Sequence, residues 1–240
     1  MKLLLKTLLA SVIALGICNI SYSQTTSNKA PGISPSVHDF NAISVGGPIN
    51  VFVTMGNEES LRIEASEENV KNMIVEVKNN TLVLKLKNSS YMWKHSEGKI
   101  NAYVTAKQLR GLTVGGSGSL KVEGTVKADN VDLTVSGSGN MNLTAEASSL
   151  ESTVSGSGSI RISGTADKSD ITVSGSGSFN GNDLKSNKTS VVVSGSGEAR
   201  IHTEQALEAV ISGSGSVNYS GSPTNIDTKT SGSGRVKKVD

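Results

Sequence analysis

The sequence predicts an all-β protein whose second half is a parallel β-helix, or solenoid, with coils of about 19–20 residues. Three observations carry this. Near-copies of Val-Ser-Gly-Ser-Gly begin at Val114, Val135, Val154, Val173, Val193, Ile211 and Thr230, at intervals of 21, 19, 19, 20, 18 and 19 residues. Apolar residues flank each copy at one parity, as with Leu133 and Val135 before and Met141 and Leu143 after, the signature of a strand with one buried face. Aromatic residues make up only 3% of the chain, so a core must be assembled from Val, Ile, Leu and small residues, which suits a fold whose stability accumulates coil by coil.

The flanking alternation separates these copies from a flexible Gly/Ser linker. Carried through the motif, the parity puts the glycines inward (Gly137, Gly139; Gly156, Gly158; Gly213, Gly215). The serines then point outward: Ser136, Ser138, Ser155, Ser157, Ser174, Ser176, Ser194, Ser196, Ser212 and Ser214. An inward glycine leaves room for another backbone to approach or allows a sharp bend at a coil corner. Stacked in register about 4.8 Å apart, the serines form an uncharged ladder of roughly 30 Å.

From its start, the chain reads as four segments. Residues 1–23 carry Lys2 and Lys6, an apolar run from Leu8 to Ile17, and Ser21 and Ser23, the pattern of a secretory signal peptide. The only cysteine, Cys18, follows Ile17 where a lipoprotein signal places a small residue, so it is read as lost with the signal. Lys+Arg then falls from 23 to 21 as Lys2 and Lys6 leave, against 21 Asp+Glu, for a net charge of zero. Residues 24–36, polar with Pro31, Gly32 and Pro35, read as a flexible leader.

Residues 37–110 form a less regular β region. Ile49–Val53, Ser60–Glu64, Ile74–Val77, Thr81–Leu86 and Ile100–Thr105 alternate as short strands. Asn79-Asn80 makes a tight hairpin, and Ser66 caps one or two helical turns. Ser89 to Gly98 is a loop or insertion. Ile43-Ser44-Val45-Gly46-Gly47-Pro48-Ile49 echoes the later motif, so this region is expected to cap the solenoid of residues 111–240 as a degenerate part of the same architecture.

Phe40-Asn41-Ala42-Ile43-Ser44-Val45, Gly47-Pro48-Ile49-Asn50-Val51-Phe52-Val53, Leu61-Arg62-Ile63-Glu64-Ala65 and the repeated Val-Ser-Gly-Ser-Gly-Ser resemble the secreted bacterial head GIN domain family of auto-transporter adhesin-like proteins. The resemblance runs from about Val37 to the C terminus. It implies an all-β fold with β-helical coils and a cell-envelope location in Bacteroidota-like bacteria, with no catalytic residues to carry over. No C-terminal stretch resembles the long strand set of an outer-membrane barrel, a departure from a true auto-transporter.

Chemical motifs add nothing catalytic. Gly-Ser-Gly is neither the Gly-x-Ser-x-Gly elbow nor a phosphate loop, and calcium-binding β-rolls have half this period and aspartates in their turns. His38, His95 and His202 are far apart, and no cysteine remains, so neither metal nor cofactor is expected. Serine and glycine do no acid-base chemistry at neutral pH, and no basic patch with interleaved aromatics points to nucleic acid. The expectation is therefore an exported non-catalytic binding protein of the periplasm, outer-membrane surface or extracellular space. It would present its Ser/Gly face to carbohydrate, matrix or an envelope protein. The alternative is a structural protein that forms homo-oligomers through that face, and the bland account is that Ser and Gly merely permit tight corners.

Overall fold

The computed structural model describes residues 32–87 and 98–239, which form one sixteen-stranded sheet wound into a solenoid. The signal-peptide segment, residues 24–31 of the leader, His95 and most of the Ser89–Gly98 loop lie outside the described residues. The leader's last part does contribute: β1 (Gly32–Ile33) pairs antiparallel with β4 (Ser60–Glu64).

Between β1 and β4 run β2 (Ala42–Gly46) and β3 (Ile49–Met55). A short helix, α1 (Glu67–Asn72), follows β4, where the Ser66 hydroxyl accepts from the Asn69 N–H at 3.3 Å. Glu67 and Glu68 in its first turn and Lys71 in its last suit the helix dipole. Next, β5 (Met73–Lys78) and β6 (Thr81–Leu86) form a hairpin whose two turn residues, Asn79 and Asn80, both have positive φ (49° and 58°). Asparagine tolerates that region better than other side-chain-bearing residues, and a two-residue turn of this hand matches the twist of the strands. After β7 (Ile100–Ala106) the chain enters β8 (Gly111–Gly116) and the repeats.

Five long runs are successive coils: β9 (Ser119–Gly137), β10 (Asn140–Gly156), β11 (Ser159–Gly175), β12 (Ser178–Gly195) and β13 (Glu198–Gly213). The winding continues through β14 (Ser216–Ser220), β15 (Asn225–Gly232) and β16 (Arg235–Lys238), about seven turns over residues 111–238. All neighbouring coils pair in parallel, with equivalent motif residues opposite one another: Val154 faces Val135 on one side and Val173 on the other. The aligned Val114, Val135, Val154, Val173, Val193 and Ile211 are at most 1% exposed. Each buried valine of such a column contributes about 1.5–3 kcal/mol relative to an exposed one.

The first half is more than a lid on this stack. The echoed segment Ala42–Met55 is itself a coil in register with the repeats: Ile43 pairs with Leu112, Val45 with Val114 and Val51 with Leu120. A further layer, β6 and β7, lies on its other side. There the pairing turns antiparallel, with β5 on β6 and β4 on β7. Strands at that end are thus covered by reversed neighbours, which interrupts the template for adding another parallel coil.

Within the repeats the interior is apolar apart from a few hydroxyls. Ser169 bonds Ser186 at 3.0 Å and Thr189 at 3.1 Å, and Ser186 donates to the Lys188 carbonyl at 2.9 Å. Ser152, in register with Leu133 and Ile171, is 1% exposed and its hydroxyl has no hydrogen-bond partner. A buried polar group without a partner costs about 1–3 kcal/mol. Ser152→Ala is therefore expected to raise the urea midpoint, whereas Ser169→Ala, which takes the Thr189 hydroxyl's partner away and removes a bond to Ser186, should lower it. Equilibrium denaturation of the two variants checks both signs.

Candidate functional site

Every coil turns at its Ser-Gly-Ser-Gly corner, and the two glycines do different work there. The second one is inward as the parity predicts: Gly139, Gly158, Gly177, Gly197 and Gly215 are buried. A Cβ on Gly158 would lie 2.5 Å from Val135 Cγ1 and 2.5 Å from the Gly139 carbonyl oxygen. The valine of one coil therefore occupies the space that a side chain on the next coil would need. The first glycine corrects the sequence reading. Gly137, Gly156 and Gly175 are exposed, Gly195 and Gly213 half-buried, and all five have φ between 103° and 121°. A Cβ on Gly156 would point at the Gly137 carbonyl oxygen, 2.6 Å away, and not at the core. Strand parity assumes extended backbone, and the left-handed residue at the corner breaks that assumption.

Backbone bonds close the corner from coil to coil. The Ser157 N–H donates to the Gly137 carbonyl at 2.8 Å, and Ser159 N–H to that of Gly139 at 3.0 Å. Such bonds need the close approach that only glycine allows. The serines follow the expected outward direction: all ten from Ser136 to Ser214 are exposed. Ser136, Ser155, Ser174, Ser194 and Ser212 pair in one continuous row. Their hydroxyls hold no hydrogen bond to any of the described residues. The glycines of the motif are thus explained by packing, whereas the serine hydroxyls are left to solvent or a partner.

A second row, missed in the sequence reading, lies just past the corner. Lys121, Asn142, Arg161, Asn180, Arg200, Asn218 and Lys237 stand opposite one another on consecutive coils, so cation and amide alternate without a break. The row continues into the N-terminal layers, where Lys121 pairs with Phe52, Phe52 with Tyr103 and Tyr103 with Arg62. Phe52 is 38% exposed and stacks on Tyr103 with ring centroids 5.4 Å apart, and Arg62 covers the Tyr103 ring at 4.5 Å. Burial, and then Glu64, raise the pKa of Tyr103, with Arg62 opposing, so the phenol stays neutral. The signal was present in the sequence, since each of the seven residues stands seven positions after the first residue of its motif.

The middle of this row is a hollow of 370 Å³ whose lining includes Asn142, Arg161, Asn180 and Arg200. Arg200 is held by Glu198 at 2.9 Å, and Asn218 donates to the same carboxylate at 2.8 Å. Lys121 reaches Glu123 at 3.1 Å. Among the described residues, the side chains of Arg161, Asn142 and Asn180 have no hydrogen-bond partner.

A third row, on the strand that approaches the corner, is acidic: Asp132, Glu151, Asp170, Ser190, Glu208 and Asp227 stand in register. Lys168 bonds Asp170 at 2.7 Å, which raises the lysine's pKa. His202 sits between Ser220 (2.9 Å) and Glu204 (2.7 Å), and His38 bonds Ser36. Among the described residues, no three His, Cys, Asp or Glu side chains gather as a metal site, and no helix is long and apolar enough to cross a membrane.

Comparison with known proteins agrees with this geometry. The family described as "Putative auto-transporter adhesin, head GIN domain" matches residues 39–223. A solved structure described as a "putative adhesin" from Bacteroides fragilis is 25% identical, with a TM-score of 0.78, and the match covers 89% of this chain and 98% of that one. A second "putative adhesin", from Parabacteroides distasonis, is 26% identical with a TM-score of 0.70 and the same coverage. A "putative lipid binding protein" from the same species shares the fold at 23% identity and a TM-score of 0.71, again over 89% and 98% of the two chains. The curated proteins hold no match.

The corner geometry is open to direct test. Gly156→Ala forces a side chain into left-handed backbone against a carbonyl oxygen, and is expected to cost about 1–3 kcal/mol. Ser155→Ala beside it should stay within about 0.5 kcal/mol of the parent. Urea midpoints measure both, and an unshifted Gly156→Ala would show that the corner relaxes.

Proposed function

The chain belongs to the head GIN domain family, and from that premise we propose that it is an exported, non-catalytic binding protein that holds an extended partner along the outside of its solenoid. The observation that supports this is the register. Outward positions repeat from coil to coil in straight rows, so side chains of one kind line up over most of the solenoid's length. A stack whose neighbours share long parallel ladders deforms little, and a preordered surface loses little entropy when it binds. Long partners such as glycan chains, matrix proteins or envelope components suit a surface of this form. The serine row from Ser136 to Ser212 is its uncharged margin, with hydroxyls able to donate and accept.

Surface exposure is the first requirement of an adhesin. Protease treatment of intact cells is expected to remove the protein while a periplasmic control survives. Capture of the purified chain on a panel of glycans and matrix proteins should then be measurable. Protection in intact cells, with digestion only after the outer membrane is permeabilised, would move the binding role to the periplasm.

Self-assembly is a second reading, favoured by the acidic and the cation-amide rows on two faces of one chain. Contacts between such rows of neighbouring copies would be screened by salt. Light scattering is expected to show association at low ionic strength that vanishes in high salt. A strict monomer in both conditions sinks this reading.

A further inference from the structure

We propose that the alternating cation-amide row is a binding track for an acidic polysaccharide, specifically one carrying carboxylates on alternate sugars. The inference rests on the binding role proposed above and names its ligand class and residues. The cations Lys121, Arg161, Arg200 and Lys237 recur on every second coil. At about 4.8 Å per strand, they are spaced by about 10 Å. Between them stand asparagines, whose amides both donate and accept and therefore match the hydroxyl and amide substituents of an uncharged sugar. A guanidinium presents paired N–H groups that fit a carboxylate in a bidentate fashion.

Two further observations point to an occupant. The middle of the track is a hollow of 370 Å³, and the side chains of Asn142, Arg161 and Asn180 that line it spend none of their hydrogen-bonding capacity on the other described residues. On the same row, Lys121 is engaged by Glu123, and Arg200, at the edge of the hollow, by Glu198. Those carboxylates lower the net charge, which disfavours indiscriminate capture of dense polyanions. At the N-terminal end, Phe52, which is 38% exposed, adds an uncharged aromatic surface against which the apolar face of a sugar ring can lie. A single-stranded nucleic acid is a poorer match, because its bases need aromatic platforms interleaved along the track and here they lie only at one end.

The test uses the full exported chain and hyaluronan oligosaccharides, in which the carboxylate falls on alternate sugars, in titration calorimetry at moderate salt. Binding is expected, with at least a tenfold loss when the carboxylates are reduced to alcohols. Arg161→Ala together with Arg200→Ala should weaken binding at least tenfold. Arg161→Lys should recover only part of the Arg161→Ala loss, since the charge returns without the planar fork. Lys78→Ala with Lys107→Ala, which removes two exposed cations that lie outside the rows, should change the affinity less than twofold. All the substituted residues are exposed, and circular dichroism with urea midpoints verifies that each variant is folded.

Undiminished binding by the double arginine variant overturns the track, as does equal affinity for oligothymidylate or for the carboxyl-reduced glycan. Self-association that Arg161→Ala abolishes, without hyaluronan binding, would hand the row to the acidic face of a second copy and also overturn the proposal. Failure to bind hyaluronan while the chain is still captured on another surface of the panel removes this ligand assignment alone. Failure on every surface removes the binding role with it.

Discussion

The structure depends on one steric interlock: a valine of each coil fills the space above a glycine of the next. Val135 Cγ1 lies where a Cβ of Gly158 would be, and the same relation holds between Val154 and Gly177 and between Val173 and Gly197. This contact fixes how closely the corners approach. Close approach lets the carbonyls of Gly137 and Gly139 accept bonds from Ser157 and Ser159 in the coil above. Because the corner recurs at nearly constant intervals, every coil is locked in the register of its neighbour. A slip by one residue would turn each apolar column outward.

Register is also what makes the outside of the solenoid a functional surface. The serine row, the acidic row and the cation-amide row are each a consequence of coils stacked without offset. No deep enclosed site is needed for such a surface to be selective, since spacing along the axis is set by the sheet and chemistry by what stands at each position. Departures from register leave the rows aligned. The shifts after Asn142, Arg161 and Gly181 follow the cation-amide positions, and the one between Ser186 and Lys188 precedes the acidic row, so irregularities between the rows leave the track straight.

Much of the site was legible in the sequence for the same reason. Motif spacing gave the coil length, and alternation gave the outward serines and the buried valines. The cation-amide row was equally readable by superposing the seven repeats, because it keeps a constant offset from the motif. It escapes a linear reading, in which lysine, asparagine and arginine on successive coils look like unrelated solvated residues. The aromatic end of the row was not readable in this way. Phe52 meets Lys121 and Tyr103 only through pairings across 69 and 51 residues, in a region where the repeat is too degenerate to align.

Sequence by itself determined the β class, the period of the coils, the inward valine columns and the Asn79-Asn80 turn. These follow from backbone periodicity and from local conformational preference, which need no knowledge of distant residues. Tertiary structure alone decided that Gly156 faces the preceding coil's carbonyl while Gly158 faces the core. It also decided that Ala42–Met55 lies between β6–β7 and the first repeat, although β6 and β7 follow it in the chain. Both choices are made by packing between segments far apart in sequence: a left-handed corner is stable only against the coil beneath it, and the order of layers is set by which apolar faces bury one another.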